Sequence, residues 1–221
     1  MPAQRLSIKV DDRELDGILH LAEGTALGGA AVLHGFGGDP AQPHIVATCD
    51  ALAKVGVAAL RFAYRDHRPP RMTLASGLAD AAGAIRVLKA HPDVPERLGV
   101  VGFSFGGTVA ALVAGRDSRI RAAVLAAAPA VAGPNFTAWS NGKWKPVAEL
   151  SRTRARVLLI WGSRDTEVPI ENAERYAAVL TQARVRNELV TIEGGDHDFA
   201  PAAPRARMAA TVADWMRQSL S

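Results

Sequence analysis

The stretch that most limits what this chain can fold into is Gly102-Phe103-Ser104-Phe105-Gly106-Gly107. Leu98, Val100, Val101 and Phe103 lead into it as an apolar strand, and Val109, Ala110, Leu112 and Val113 follow at helical spacing. The pattern predicts a buried strand, a very tight turn and a helix, with Ser104 at the apex. A serine held there adopts a left-handed-like backbone, and the residues two before and two after it must lack side chains, or strand and helix collide. The helix then points its first amides and its positive dipole end at the hydroxyl. A glycine-rich turn with an incidental serine has the same local signature, so the meaning of Ser104 depends on what accompanies it.

The rest of the chain alternates strands and helices. Leu6, Ile8 and Val10 alternate with polar residues, Asp11 to Glu14 break the run, and Leu15 to Leu21 resume it, which predicts a β-hairpin. Strands follow over 30–33, 57–63, 98–103, 120–126, 157–161 and about 186–192. Helices follow over about 42–54, 74–89, the run after Ser104, 171–181 and 204–218. This alternation predicts one α/β domain over residues 1–221, a mostly parallel sheet with an N-terminal antiparallel hairpin and helices on both faces. Strands covered on both faces should be apolar along their length. Residues 130–150 show no clear period and carry Gly133-Pro134 and Asn141-Gly142, as a short lid-like insertion would.

Open parallel sheets bind ligands at the carboxyl ends of their strands. Four loops directly follow strands and so share that edge: His34-Gly35-Phe36-Gly37-Gly38, the Ser104 turn, the loop of Asp165, and the loop of His197. Together they suit acyl transfer. A serine hydroxyl needs a base within hydrogen-bond reach, which His197 can supply, and that imidazole needs a carboxylate to fix its tautomer, which Asp165 can supply. The order Ser104, Asp165, His197 differs from the orders of the two other common triad folds. Backbone amides of Phe105 and Phe36 are the candidate oxyanion donors. Asp196 and Asp198 adjoin His197 but read as turn residues. Among the other histidines, His34 reads as a hydrogen-bonded strand-end residue, His67 as exposed and His91 as a helix terminator; His44 is a further candidate base.

The segments His34-Gly35-Phe36-Gly37-Gly38, Gly102 to Gly107, Gly162 to Pro169 and Gly194 to Phe199 together resemble the α/β-hydrolase fold family, and within it the small, nearly lidless dienelactone hydrolases and related esterases. The chain departs from dienelactone hydrolases proper in having serine where they have cysteine. The resemblance therefore implies a serine esterase-like enzyme and not that particular reaction. It implies cleavage of small to medium carboxylic esters, with thioesterase, amidase or peptidase activity, or a non-catalytic scaffold, as alternatives. Phe199, Trp139 and Met72 are candidate substrate-pocket residues beside Phe36 and Phe105. Arg65, Arg68 and Arg71 could hold a substrate carboxylate, although a solvated loop explains them better.

Composition narrows the partners. Of the 221 residues, 48% are hydrophobic and 22% charged, and no apolar run is long enough for a membrane helix. The net charge of +4 comes from scattered arginines without interleaved aromatics, which argues against nucleic acid. No pairing of histidines or cysteine has metal-ligand spacing, and neither glycine loop carries a phosphate-binding signature, so no cofactor or metal is expected. The one cysteine, Cys49, lies on the apolar side of a helix, and the N-terminus has no leader pattern. A cytoplasmic monomer or homodimer acting on a small-molecule ester is the expectation.

Overall fold

Central strands that are buried on both faces determine the layering. The computed structural model describes residues 3–66, 71–130 and 144–221. In chain order the elements are β1 (Ala3–Val10), β2 (Arg13–His20), β3 (Gly28–Leu33), α1 (Pro43–Lys54), β4 (Val57–Phe62), α2 (Leu74–Ala90), β5 (Leu98–Phe103) and α3 (Phe105–Arg116). They continue with β6 (Ile120–Ala126), α4 (Pro146–Leu150), β7 (Arg156–Gly162), α5 (Glu171–Gln182), β8 (Asn187–Ile192) and α6 (Ala202–Leu220). Among the described residues, eight strands form one sheet in the order β1-β2-β4-β3-β5-β6-β7-β8. The hairpin β1–β2 and the pair β2–β4 are antiparallel, and every other pairing is parallel.

Successive residues along the central strands enter opposite cores, as the pleat dictates. Ala31, Leu33, Val100, Leu125, Leu159 and Trp161 face the core shared with α2, α3, α4 and α5. Ala30, Val32, Val101, Val124, Leu158 and Ile160 face the core shared with α1 and α6. Both faces are thus covered: β3 and β5 are buried along their whole length, and β6 and β7 are apolar apart from Arg121 and Arg156. The strand β8 departs from that pattern, with only exposed and half-buried residues before Ile192. It is the last strand of the sheet and has a neighbour on one edge only.

The helices have local reasons for their bounds. Pro43 opens α1, where its missing N–H costs nothing. Thr73 and Ser76 form a reciprocal capping box at the start of α2. The helix α3 is buried over Phe105–Ala114 and packs in the middle of its layer. Among the described residues no helix is long and apolar enough to cross a membrane.

One expectation for the loop after β4 is corrected here. Arg65 folds back on α2, where its Nε lies 2.6 Å from Asp80 Oδ1 and its amide donates to Oδ2 at 2.9 Å. Its Nη1 reaches Asp11 at 3.0 Å, so Arg65 ties this loop to α2 and to the β1–β2 turn, and is committed away from a substrate carboxylate. Arg68 lies outside the described residues, and Arg71 is exposed. Asp80 is fully buried; burial pushes its carboxyl up, and the Arg65 bonds only partly oppose that.

Removing Arg65 leaves Asp80 buried without its cation. Arg65→Ala is expected to cost about 3 kcal/mol in urea denaturation, the low end for a broken buried pair, because Asp80 can take up a proton. Adding Asp80→Ala to that variant should cost less than Asp80→Ala does alone.

Candidate active site

The turn at Ser104 has the predicted strain. Ser104 occupies φ 53° and ψ −119° at the N-cap of α3, with its amide bonded to Ala126 O at 2.8 Å. The glycine spacing follows from close backbone contacts. A Cβ on Gly102 would stand 2.0 Å from Gly106 O, and one on Gly106 would stand 2.4 Å from Leu33 O. Neither partner can move, since each belongs to the backbone of an element around the turn. The end of β5, the start of α3 and the end of β3 therefore meet at van der Waals distance, which sets the hydroxyl at the sheet edge.

Asp165 and His197 are brought together by two loops sewn to one another. Ser163 N bonds Ile192 O at 3.0 Å, Arg164 N bonds Gly195 O at 2.8 Å, and Gly194 N donates to Ser163 Oγ at 2.9 Å. Gly162 and Gly195 approach so closely that a Cβ on Gly162 would lie 2.3 Å from Gly195 O. The Asp165 carboxylate is oriented from behind: Oδ1 accepts the amides of Glu167 at 3.0 Å and Val168 at 2.9 Å. Trp161 Nε1 donates to Val168 O at 2.9 Å, pinning that turn to the core. The remaining oxygen, Oδ2, lies 2.9 Å from His197 Nδ1. The carboxylate is 1% exposed and the imidazole 11%. With Nδ1 engaged, Nε2 is the ring nitrogen left to face a substrate.

A cavity of about 560 Å³ joins the pieces, lined by Ser104, His197, Phe36, Gln42, Glu167 and Asp198 together with Gly35, Gly37, Gly38, Thr166 and Val168. Phe36 thus contributes to its wall, and Phe105 is the first residue of α3, directly after Ser104. The Phe105 ring itself is buried, edge-on to Tyr64 at 5.8 Å and tilted against Phe36 at 6.1 Å. Two expected pocket residues are corrected. Phe199 is 0% exposed: the chain turns there with φ 50° and carries the ring inward against Phe103. Met72 is 1% exposed and belongs to the core with Tyr64 and Phe105. Trp139 and His67 lie outside the described residues, as does the 131–143 part of the expected insertion; Pro146–Leu150 is helical.

The competing groups have other partners. His34 is buried, with Nε2 receiving the Tyr64 amide at 3.4 Å and Nδ1 bonded to Gly35 O at 2.8 Å. His44 is buried beside Phe103, and burial lowers its pKa to about 4. Asp196 caps the Ala200 amide. Cys49 is buried, which pushes its thiol far up.

A further arrangement was not read from the sequence. Asp50 bonds His20 Nδ1 at 3.0 Å, Arg61 Nε donates to His20 Nε2 at 2.9 Å, and Arg61 Nη1 donates to Pro40 O at 2.9 Å. This chain of bonds holds the far end of the Gly35–Gly38 loop against the sheet. The pairing of β2 with β4 sets His20 beside Ala59 and Arg61 beside Ile18, a register that no local pattern announces.

The model of the dienelactone hydrolase family matches residues 29–220. A Synechocystis protein named as a candidate carboxymethylenebutenolidase is 26% identical over 124 residues, 55% of this chain and 48% of that protein. The match thus spans about half the length of such curated relatives. Among solved structures, Est1E from Butyrivibrio proteoclasticus superimposes with a TM-score of 0.83 at 20% identity, covering 98% of each chain. A dienelactone hydrolase from Anabaena variabilis gives 0.81 at 22% identity, covering 100% of this chain and 99% of that one.

The electrostatics of His197 predict a pH profile. Burial alone would lower its pKa, but the hydrogen bond and charge of Asp165, with Glu167 and Asp198, outweigh burial and hold it above the ordinary 6.5. Were His197 the general base of an ester hydrolase, active when neutral, kcat/KM would fall as pH drops through a midpoint above 6.5. Glu167→Gln removes one of the raising charges and should move that midpoint downward, as a pH-rate titration of both proteins would reveal.

Proposed function

This chain belongs to the dienelactone hydrolase family, and on that premise we propose that it is a serine hydrolase of carboxylic esters. Ser104 Oγ attacks the ester carbonyl while His197 Nε2 takes its proton. Asp165 keeps His197 in the required tautomer and stabilises the imidazolium. The amides of Phe36 and Phe105 receive the oxyanion, a contribution of about 3 kcal/mol per donor. His197 returns the proton to the departing alcohol, and water then resolves the acyl-enzyme with the same base. The observation that carries this reading is the 2.9 Å contact of His197 Nδ1 with a buried carboxylate, in a cavity that Ser104 also lines.

The reading extends to substrate size and setting. The cavity wall is largely backbone and short side chains, which suits small to medium acyl groups. The protein would act as a single domain, a monomer or homodimer of the cytoplasm, on a small-molecule ester; the lone buried Cys49 suits a reducing compartment. Thioesters and amides use the same groups, and a panel of all three linkages separates the possibilities.

Ser104→Ala should abolish labelling by a fluorophosphonate probe and lower ester turnover roughly a thousandfold or more. No labelling of the unaltered protein would favour a non-catalytic scaffold. Asp165→Asn should retain the fold, by circular dichroism, while kcat falls about ten-thousandfold. Acetyl and butyryl esters should be cleaved much faster than palmitoyl esters; equal rates would contradict the size assignment.

A further inference from the structure

Two carboxylates on the cavity wall take no step in the reaction just described. Glu167 comes from the turn that orients Asp165, and Asp198 follows His197 directly; both line the cavity that Ser104 and His197 independently mark as the place of substrate. Glu167 Oε2 stands 4.0 Å from His197 Nε2, on a side chain that is mostly exposed. In the proposed reaction Nε2 hands its proton to the departing alcohol oxygen, so a carboxylate beside it flanks the alcohol half of the ester. Among the described lining residues, His197 is the sole other group able to carry charge.

We propose that the cavity selects esters whose alcohol carries an ammonium group two carbons from the ester oxygen, and disfavours those with a carboxylate there, with Glu167 determining the preference and Asp198 supporting it. The inference rests on the hydrolase reading above. An opposite unit charge at about 4 Å in water-like surroundings changes an equilibrium about fivefold. Because Glu167 is exposed, the ammonium keeps much of its hydration, and salt weakens the attraction over about 8–10 Å.

The test compares three butyrate esters by pH-stat on the intact protein: that of 2-(trimethylammonio)ethanol, its uncharged isostere 3,3-dimethylbutyl butyrate, and 2-carboxyethyl butyrate. The expected kcat/KM order is cation, neutral, anion, with a cation-to-neutral ratio of roughly five at low salt that shrinks towards one at high salt. The ratio, taken on one enzyme, cancels any change in the base itself. In Glu167→Gln it should fall most of the way to one, and in Glu167→Gln/Asp198→Asn to one. Turnover of the neutral ester that depends on Ser104, with a cation-to-neutral ratio of one or a ratio unchanged in both variants, overturns the charge preference and leaves the hydrolase reading standing. Failure to cleave any of the three overturns both.

Discussion

The contact on which the rest depends is between backbones: Gly106, in the first turn of α3, lies against the carbonyls of Leu33 and His34 at the end of β3, while Gly102 lies against Gly106. No side chain fits between these segments. The exit of β5, the entry of α3 and the loop after β3 are therefore held at one point. Ser104 is the residue left at the apex, with a positive φ that a packed surrounding must maintain. A loop of glycines then passes within contact of it: a Cβ on Gly35 would lie 3.4 Å from Ser104 Cβ.

The second half of the site is assembled differently. Asp165 and His197 follow adjacent parallel strands, β7 and β8, and their loops exchange backbone bonds before any side chain is considered. Four polar contacts orient Asp165: two amides, the imidazole and, through Val168, the Trp161 indole. The site thus stands on rigid elements at the carboxyl edge of the sheet, where strand order brings β3, β5, β6, β7 and β8 side by side. The same turn that orients Asp165 exposes Glu167 beside His197, so tautomer control and the charge of the cavity rim come from a few consecutive residues.

Legibility varied with the range of the interaction. Elements with an unbroken apolar run, such as β5 and α3, could be read with bounds close to those observed, because burial on every side leaves that signature. Likewise, the Ser104 turn was visible because its steric demand acts between residues two apart. Phe199 and Met72 belong to the core and not to the cavity wall. An aromatic or thioether beside a functional loop looks the same in sequence whether its ring turns outward or, as at Phe199, a left-handed turn carries it into the core. Arg65 was open to a ligand role for a similar reason: its partner, buried Asp80, is fifteen positions away and across a loop. The exposed face of β8 depended on its position at the sheet edge, which the alternation of elements does not specify.

By itself, then, the sequence determined the α/β alternation, the strained serine turn and the fact that four glycine- or charge-bearing loops leave the same edge. These are consequences of period and of short-range sterics, which neighbouring residues encode. The tertiary structure alone decided that Asp165 meets His197 at hydrogen-bond distance, that Asp50, His20 and Arg61 brace the loop at Pro40, and that Glu167 faces Nε2. Those contacts join residues far apart in the chain. Their existence depends on strand order and register, which are settled by burying two cores at once and not by any local preference.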